Sequence, residues 1–209
     1  MTTLHHPTGA IVPADKKRKL VRLPSTHGIP LIEDDAYAEL QFASTPSPPA
    51  KAFDKKGLVM HCGSFSKCLA PGYRLGWVIE SSLATSLPVQ QCIARMLKEG
   101  GYDSHLAGLR RSLANQQSAV LNSVRRHFPP GYRVAAPEGG YFLWIGCAAS
   151  VNSIEVHRLA LDFGISIAPG PMFSARRQFC NFIRHNCGHP WTPGMDRAIQ
   201  RLGEILRRL

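Results

Sequence analysis

The sequence predicts an α/β protein, and two features of its apolar pattern carry that prediction. Residues 29–37 and 57–62 are short apolar segments bounded by acids or turn residues, as the buried strands of an α/β sheet are. Over residues 81–127 the apolar side chains instead recur at the spacing of an α-helix. Strands and helices therefore alternate along the chain, and its 209 residues are enough to bury a substantial core.

The elements before the helical region follow from turn and cap signals. Residues 5–13 contain a Pro-Thr-Gly turn and end in a proline, which predicts a helix over about 14–23. Residues 41–57 are rich in serine, proline and lysine without periodicity, so an exposed loop is expected there. Residues 73–79 are expected to form a further strand, which brings three strands to one edge of a sheet.

Glycines and prolines mark the remaining elements. Gly100 and Gly101 are expected to divide the helical region into two long helices, which look like packing elements. Residues 132–145 are expected to be a strand-turn-strand unit, and residues 153–163 a helix that leads to a short strand. Residues 168–173 are expected to be a rigid apolar loop, residues 179–185 the last strand, and residues 195–209 an amphipathic helix.

The composition disfavours several classes of location and site. The sequence has no apolar run near the length of a membrane span and no secretory signal, so a cytoplasmic protein without membrane contact is expected. Its six cysteines form no CxxC pair or regular framework and are expected to be reduced thiols. Its nine histidines show no established ligand spacing, so no metal is expected.

The net charge of +11 at pH 7 raises the question of nucleic-acid binding. The basic residues cluster at residues 16–19, at Arg125 and Arg126, and near the C-terminus at residues 201–208. Each cluster lies in or at the end of a predicted amphipathic helix, where a solvated face accounts for it. Direct binding of DNA by this chain is therefore the less favoured interpretation.

A segment around one lysine carries the strongest chemical signal. Lys67 stands in a small and apolar run, which is expected to leave its amine poorly solvated and nucleophilic. Ser64 and Ser66 supply hydroxyl donors, and Arg74 supplies a planar bidentate donor that suits a phosphate dianion. This combination indicates a phosphate-bearing aldehyde held by the lysine as a Schiff base. The alternative is a serine-rich turn before Pro71 with no chemistry of its own.

The string Ser-Phe-Ser-Lys-x-Leu-Ala-Pro-Gly-x-Arg-x-Gly-Trp, at residues 64–77, resembles the cofactor-lysine segment of fold-type-I pyridoxal-5'-phosphate enzymes, the class I and II aminotransferases. Within that superfamily it is most similar to the aminotransferase-like domain of MocR-type regulators of the GntR family. The string Pro-Glu-Gly-Gly-Tyr-Phe-Leu-Trp, at residues 137–144, is typical of the small domain of these aminotransferases.

The resemblance implies the pyridoxal-phosphate transferase fold, which is also described as aspartate aminotransferase-like. Residues 1–80 are then the C-terminal part of a partial, cofactor-binding large domain. Residues 81–127 are connecting helices, and residues 128–209 are an α+β small domain. The family carries a considerable stretch before the Pro-Thr-Gly turn, so the chain is expected to be the N-terminally truncated, C-terminal part of a longer ancestor.

The resemblance also implies roles for single residues. Lys67 matches the lysine that holds pyridoxal 5'-phosphate and shuttles protons, and Asp34 matches the carboxylate on the pyridine nitrogen. Tyr37 matches the phenol that hydrogen-bonds the ring oxygen, while Asp35 is taken as a neighbouring decoy. An alternative is that residues 33–35 only cap the segment that follows them.

The cofactor phosphate and the substrate are assigned in the same way. The resemblance gives the phosphate to Ser64, Ser66 and Arg74. His6 stands where the family has an asparagine that contacts the ring oxygen, and its imidazole can still donate a hydrogen bond. Arg184 matches the arginine that binds the substrate α-carboxylate in a fork, and the alternative for it is a surface arginine on an edge strand.

Three hypotheses about function follow. The chain is an aminotransferase domain acting on an amino acid and a 2-oxo acid, or the effector-sensing domain of a regulator that binds the cofactor without turnover, or an inactive fragment. A regulator would contact DNA only through a winged-helix domain, which is absent from these residues. A partial sheet would leave an exposed edge, so a homodimer or association with another chain is expected.

Overall fold

The computed structural model describes residues 1–78 and 86–209, which fall into two compact units. The first unit comprises Met1–His6, Ala10–Ser112 and Glu138–Gly140, and the second comprises Pro7–Gly9, Leu113–Pro137 and Tyr141–Leu209. Among the described helices, none is both long and apolar enough to cross a membrane.

The first unit is built on a three-stranded sheet. Its strands β1, β2 and β3 lie at Leu31–Asp34, Val59–Ser64 and Gly76–Val78. Its helices are α1, α2 and the start of α3, at Ala14–His27, Leu87–Lys98 and Gly101–His127. β1 runs parallel to β2, and β3 runs antiparallel to β2. The carboxyl ends of β1 and β2 therefore meet at one edge of the sheet, and β3 begins at that same edge.

α1 is longer than the sequence predicts. The expected end near Leu23 is wrong, because the helix continues through Pro24 to His27. Pro24 lacks the N–H that would join the helical hydrogen-bond pattern, but its side chain is buried. The helix then ends at Gly28, whose left-handed backbone lets its N–H donate to the Pro24 carbonyl oxygen.

Lys17 contradicts the prediction that residues 16–19 form a solvated basic face. Its neighbours in that run are exposed, but Lys17 itself is fully buried. Its Nζ atom donates hydrogen bonds to Thr3 Oγ1 at 3.0 Å, to Ser47 Oγ at 3.1 Å and to the Pro48 carbonyl oxygen at 2.7 Å. Burial lowers the pKa of Lys17, and two nearby carboxylates oppose that shift.

The segment over residues 41–57 is less exposed than predicted. It contains a short 3-10 helix at Ala50–Phe53, and Ala50 is buried. Glu33 on β1 holds the start of this helix, since its carboxylate accepts hydrogen bonds from the N–H groups of Ala50 and Lys51 at 2.7 and 2.9 Å. A polar loop has no periodicity whether or not it is anchored, so the sequence pattern could not reveal this anchor.

The third strand also starts later than predicted. A 3-10 turn at Pro71–Tyr73 comes first, and the strand begins only at Gly76. Between them Arg74 adopts a left-handed φ of 50°, which interrupts an extended backbone. Ile79, the predicted end of this strand, lies outside the described residues.

The two long helices are divided as predicted. α2 ends at Lys98, Gly100 adopts a left-handed φ of 74°, and α3 begins at Gly101. The predicted start of the helical region at Ser81 lies outside the described residues.

The second unit contains a four-stranded antiparallel sheet in the order β4-β5-β7-β6. These strands lie at Arg133–Val134, Phe142–Gly146, Phe182–Asn186 and Ala168–Pro169 in that order. Its helices are α4 and α5, at Ser153–Leu161 and Pro193–Leu206, together with the end of α3. The predicted strand-turn-strand unit and helix are confirmed. The last strand begins at Phe182, later than the predicted residue 179, and α5 ends at Leu206 before the predicted end at Leu209. Residues 168–173, predicted as a rigid loop, instead contain β6 and a 3-10 helix at Gly170–Phe173.

One face of this sheet forms the hydrophobic core of the second unit. Leu143, Ile145 and Ile183 are buried there with apolar side chains of α3, α4 and α5. Since side chains alternate along a strand, Trp144 and Arg184 point to the opposite face, where they are register partners on β5 and β7. That face carries the functional residue predicted in this unit.

Candidate functional site

The first unit holds most of the residues predicted to bind the cofactor, namely His6, Asp34, Tyr37, Ser64, Ser66, Lys67 and Arg74. Asp34 is the last residue of β1, and Ser64 is the last residue of β2. Arg74 lies just before β3, whose Gly76 is the register partner of Ser64. The backbone therefore brings the acid, the lysine turn and the arginine to one sheet edge, which is where ligands of α/β sheets bind.

β1 presents neighbouring acids to opposite faces of the sheet. Glu33 and Asp35 are buried, with 1% and 5% of their surface exposed, whereas Asp34 between them is exposed. Asp34 Oδ1 accepts a hydrogen bond from the Ala36 N–H at 3.2 Å, which fixes the carboxylate at the start of the turn. The alternation of the strand thus separates the three acids, and only Asp34 is open to a ligand.

Tyr37 joins two other predicted residues at this edge. Its ring stacks on the imidazole of His6, with ring centres 6.4 Å apart and planes 13° apart. The Nζ atom of Lys67 lies over the same ring, 5.6 Å from its centre. His6, Tyr37 and Lys67 are thus assembled by contacts between segments that are distant in the sequence.

The prediction that Lys67 is poorly solvated is wrong, because Lys67 is exposed. The apolar neighbours Phe65 and Cys68 are buried, and the lysine between them is not. Burial raises the pKa of the Cys68 thiol, so this cysteine stays protonated and its role is packing.

The buried side chain of Phe65 fixes the turn that carries Lys67. The Phe65 ring packs 4.9 Å from the Trp77 ring and 5.6 Å from the Tyr102 ring, measured between centres. The Phe65 carbonyl oxygen accepts the Leu69 N–H at 2.9 Å, which closes one helical turn around the lysine. Trp77 also covers Gly63, where a Cβ atom would overlap the indole ring. These contacts fix the backbone from which the lysine projects.

Ser64 and Ser66 form a compact hydroxyl pair. Ser64 Oγ donates to Ser66 Oγ at 2.9 Å and accepts the Ser66 N–H at 3.0 Å. Ser64 Oγ also lies 3.3 Å from the Leu75 carbonyl oxygen, which joins the turn to the approach of β3. Arg74, next to Leu75, is exposed and has the left-handed backbone described above. Backbone strain of this kind is concentrated at functional sites.

The donor set at this edge fits pyridoxal phosphate. Two hydroxyls and an exposed guanidinium suit a phosphate dianion, and an exposed amine suits an aldehyde. A carboxylate on the same edge suits a protonated pyridine nitrogen, and a stacked phenol and imidazole suit the ring oxygen. The residues present are therefore chemically complementary to each part of that cofactor.

Arg184 lies in the second unit. It is half-buried, and its Cζ atom lies over two aromatic rings, 4.3 Å from the centre of Phe142 and 5.0 Å from that of Phe173. Trp144, its register partner, packs edge-on against Phe173 at 5.7 Å. The planar cation is held by stacking, which leaves its edge as the hydrogen-bonding surface.

The sequence reasoning missed a buried pair formed by the residue after β1 and a residue in the middle of β2. His61 Nε2 lies 3.0 Å from Asp35 Oδ2, and their side chains are 14% and 2% exposed. The sequence predicts a role for Asp34 and none for Asp35. Strand alternation is the signal that could have separated Asp35 from Asp34, since it sends the two acids to opposite faces.

Comparison with known proteins decides the family. The family model described as aminotransferase class I and II matches residues 1–202. The chain belongs to the class I and II aminotransferase family. This confirms the fold class and the family that were predicted from the sequence.

Relatives of this aminotransferase-family chain include both regulators and enzymes. The uncharacterized HTH-type transcriptional regulator YdcR of Escherichia coli is 36% identical over 220 residues, which cover 99% of this chain and 47% of that protein. The aromatic-amino-acid aminotransferase 1 of Thermococcus litoralis is 29% identical and covers 98% of this chain and 52% of its own length. The chain spans about half the length of the curated relatives it matches.

A solved structure shows the same fold. Kynurenine aminotransferase of Pyrococcus horikoshii, solved in complex with PMP, superposes with a TM-score of 0.89 at 28% identity. The match covers 99% of this chain and 55% of that enzyme. The fold of this aminotransferase-family chain is therefore that of pyridoxal-phosphate-dependent aminotransferases.

Proposed function

We propose that this chain binds pyridoxal 5'-phosphate at the carboxyl edge of β1 and β2 and transfers amino groups between an amino acid and a 2-oxo acid. The observation that carries the proposal is the convergence of complementary groups on one sheet edge. There the lysine amine lies over the Tyr37 ring, beside the paired hydroxyls of Ser64 and Ser66. Family membership supports the same cofactor and reaction class.

Three residues of the first unit take catalytic roles in this proposal. The cofactor supplies an aldehyde that condenses with amines and a ring that withdraws electrons. Lys67 offers its exposed amine to that aldehyde and moves a proton at Nζ. Asp34 holds a proton on the ring nitrogen through its exposed carboxylate. Tyr37 donates its hydroxyl to the ring oxygen, and His6, stacked on Tyr37, orients it.

The phosphate is bound by Ser64, Ser66 and Arg74 in this proposal. Ser66 Oγ accepts a hydrogen bond from Ser64, so the Ser66 hydroxyl keeps its own proton for donation to an anion. Arg74 adds a positive charge and a planar fork. Its left-handed backbone is consistent with a residue held in place for binding.

Arg184 binds the α-carboxylate of the amino acid in this proposal. The rings of Phe142 and Phe173 lie close to the guanidinium and shield it in part from water, which strengthens a hydrogen-bonded ion pair at its edge. A carboxylate matches that edge with two parallel N–H···O bonds.

A second function is favoured by a specific relative. The HTH-type regulator YdcR is 36% identical over almost the whole of this chain, and its name assigns it to transcription. The same site would then sense a cofactor-bound amino acid without turnover, and DNA contact would belong to a separate winged-helix domain. An inactive fragment is the remaining alternative.

The cellular context forms part of the same proposal. We assign residues 1–80 to the cofactor-binding large domain, 81–127 to connecting helices and 128–209 to the small domain. Among the described residues β1 is an edge strand of its sheet, which favours a homodimer or association with another chain. The six free cysteines fit the reducing cytoplasm, where we place the protein.

Titration of the purified chain with pyridoxal phosphate, followed by an amino acid and a 2-oxo acid, tests these alternatives. An absorbance band near the visible edge with formation of a new amino acid supports the aminotransferase. A band that shifts with amino acids but yields no new amino acid supports the sensor. If no band forms beyond that of a surface-lysine control protein, the cofactor proposal is rejected.

A further inference from the structure

We propose that Asp35 and His61 are positioning residues for the cofactor site, through the hydrogen bond that joins the residue after β1 to the middle of β2. The inference rests on the proposed function and deepens it. Neither residue is placed in contact with the cofactor, because Asp35 points to the face opposite Asp34. Their role is to fix the strands from which Asp34 and the Lys67 turn extend.

Asp35 makes both side-chain and backbone hydrogen bonds just after the end of β1. The side-chain hydrogen bond of 3.0 Å is reinforced by the backbone, since the Asp35 N–H donates to the Cys62 carbonyl oxygen at 2.9 Å. The Asp35 carbonyl oxygen accepts the Ala38 N–H at 3.0 Å, which closes the turn that carries Tyr37. Asp35 therefore connects the end of β1 both to the neighbouring strand β2 and to the turn that carries Tyr37.

Asp35 and His61 are close in sequence to the residues of the proposed cofactor site. Asp35 follows Asp34 directly and precedes Tyr37 by two residues. His61 precedes Ser64, the last residue of β2, by three residues. A shift of either strand along the other would therefore change the spacing between the acid and phenol on one side and the hydroxyls and lysine on the other.

The surroundings make this hydrogen bond hard to replace. Asp35 Oδ1 and His61 Nδ1 are buried and have no hydrogen-bond partner among the described residues. Both residues line a cavity of about 250 Å³, whose other charged residues are Glu39 and Arg110. Those two are engaged with each other, since Arg110 donates to the Glu39 carboxylate at 3.2 Å. Glu39 and Arg110 therefore do not replace the Asp35–His61 bond.

The test measures cofactor affinity in variants of the full chain. His61→Phe keeps a ring but removes the donor, and we expect it to raise the Kd for pyridoxal phosphate about tenfold. His61→Gln restores a side-chain N–H, and we expect a Kd within about threefold of wild type. Visible circular dichroism reports binding independently of turnover, and urea unfolding reports stability. Asp35→Ala removes the carboxylate of the pair and gives a second measure if His61→Phe does not fold.

Glu33→Gln is the matched control. Glu33 is buried on the same face of the same strand, but it anchors the 3-10 helix at Ala50–Phe53 rather than the sheet edge. We expect it to lower stability without changing cofactor affinity. The positioning role is overturned if wild type binds the cofactor and the His61→Phe and Asp35→Ala affinities are unchanged, or if Glu33→Gln weakens binding equally. In the first case the proposed function stands, whereas a wild-type chain that binds no cofactor overturns both proposals.

Discussion

The amine of Lys67 lies over the ring of Tyr37, 5.6 Å from its centre. The lysine follows β2 and the tyrosine follows β1, so this approach depends on the parallel pairing of the two strands. The same pairing sets Asp34 opposite Cys62, two residues before Ser64. The relative positions of Asp34, Tyr37 and Lys67 in the candidate site therefore depend on the register between β1 and β2. Several measurements follow from this dependence.

Replacement of Arg74 by glycine separates backbone strain from phosphate binding. A left-handed φ of 50° costs an arginine about 1 kcal/mol, and glycine removes that cost while adding freedom to the unfolded chain. We expect the free energy of unfolding to change by less than about 1 kcal/mol. The Kd for pyridoxal phosphate should rise at least about tenfold, because a charge-assisted fork is lost.

Pyridoxal without its phosphate is the control ligand for that experiment. Its affinity should be the same for wild type and Arg74→Gly, as it has no group for the guanidinium to bind. Equal losses for both ligands would mean that Arg74 shapes the turn and does not bind the phosphate.

Arg184→Lys tests the carboxylate site of the second unit. Lysine keeps the charge but loses the planar fork and the stacking on Phe142 and Phe173. We expect the affinity of the cofactor-loaded chain for amino acids to fall at least about tenfold, with cofactor affinity unchanged. Amino-acid titration of the cofactor band measures both. The exposed Arg176→Lys is the control, and a similar loss there would argue against a specific role for Arg184.

Lys17 is expected to stabilise the fold of the first unit. Lys17→Met keeps the length of the side chain but removes hydrogen bonds to Thr3, Ser47 and Pro48. We expect the free energy of unfolding in urea to fall by about 2–3 kcal/mol. Lys16→Met, on the exposed face of the same helix, should change it by less than about 0.5 kcal/mol. Equal effects would show that Lys17 is not buried in solution.

His185 makes stability depend on pH. Burial lowers the pKa of His185 from 6.5 to about 4, so the unfolded chain binds a proton more readily than the folded chain. The free energy of unfolding is therefore highest, as far as His185 is concerned, above pH 6.5. It falls by about 3 kcal/mol in all as the pH is lowered through 4.

Urea unfolding at several pH values measures that dependence. The difference in pH slope between wild type and His185→Leu isolates this histidine from the carboxylates that titrate in the same range. Parallel pH profiles for the two proteins would show that His185 is not buried in its neutral form.

The sequence predicted the elements that periodicity controls. Strand alternation and helical spacing follow directly from which side chains are apolar, so the strands near Asp34 and Ser64 and the helix boundary at Gly100 were predictable. The lysine turn was predictable as well, because its string of residues is long and specific.

The errors fell where a single contact overrides local composition. Lys17 belongs to a basic run like any solvated face, and only the positions of Thr3 and Ser47 make it a buried donor. Lys67 stands in an apolar run, yet it is exposed although its apolar neighbours are buried. The pairing of Asp35 with His61 depends on strand register, which one sequence does not specify.

The central claim is that Lys67 is the cofactor lysine of this site. The most direct measurement is borohydride reduction of the chain with pyridoxal phosphate, followed by mass spectrometry of its peptides. We predict that the phosphopyridoxyl group is found on Lys67 at stoichiometric yield, that Lys67→Ala abolishes this labelling, and that the exposed-lysine control Lys55→Ala does not. Labelling spread evenly over the surface lysines, and unchanged in Lys67→Ala, would contradict the claim.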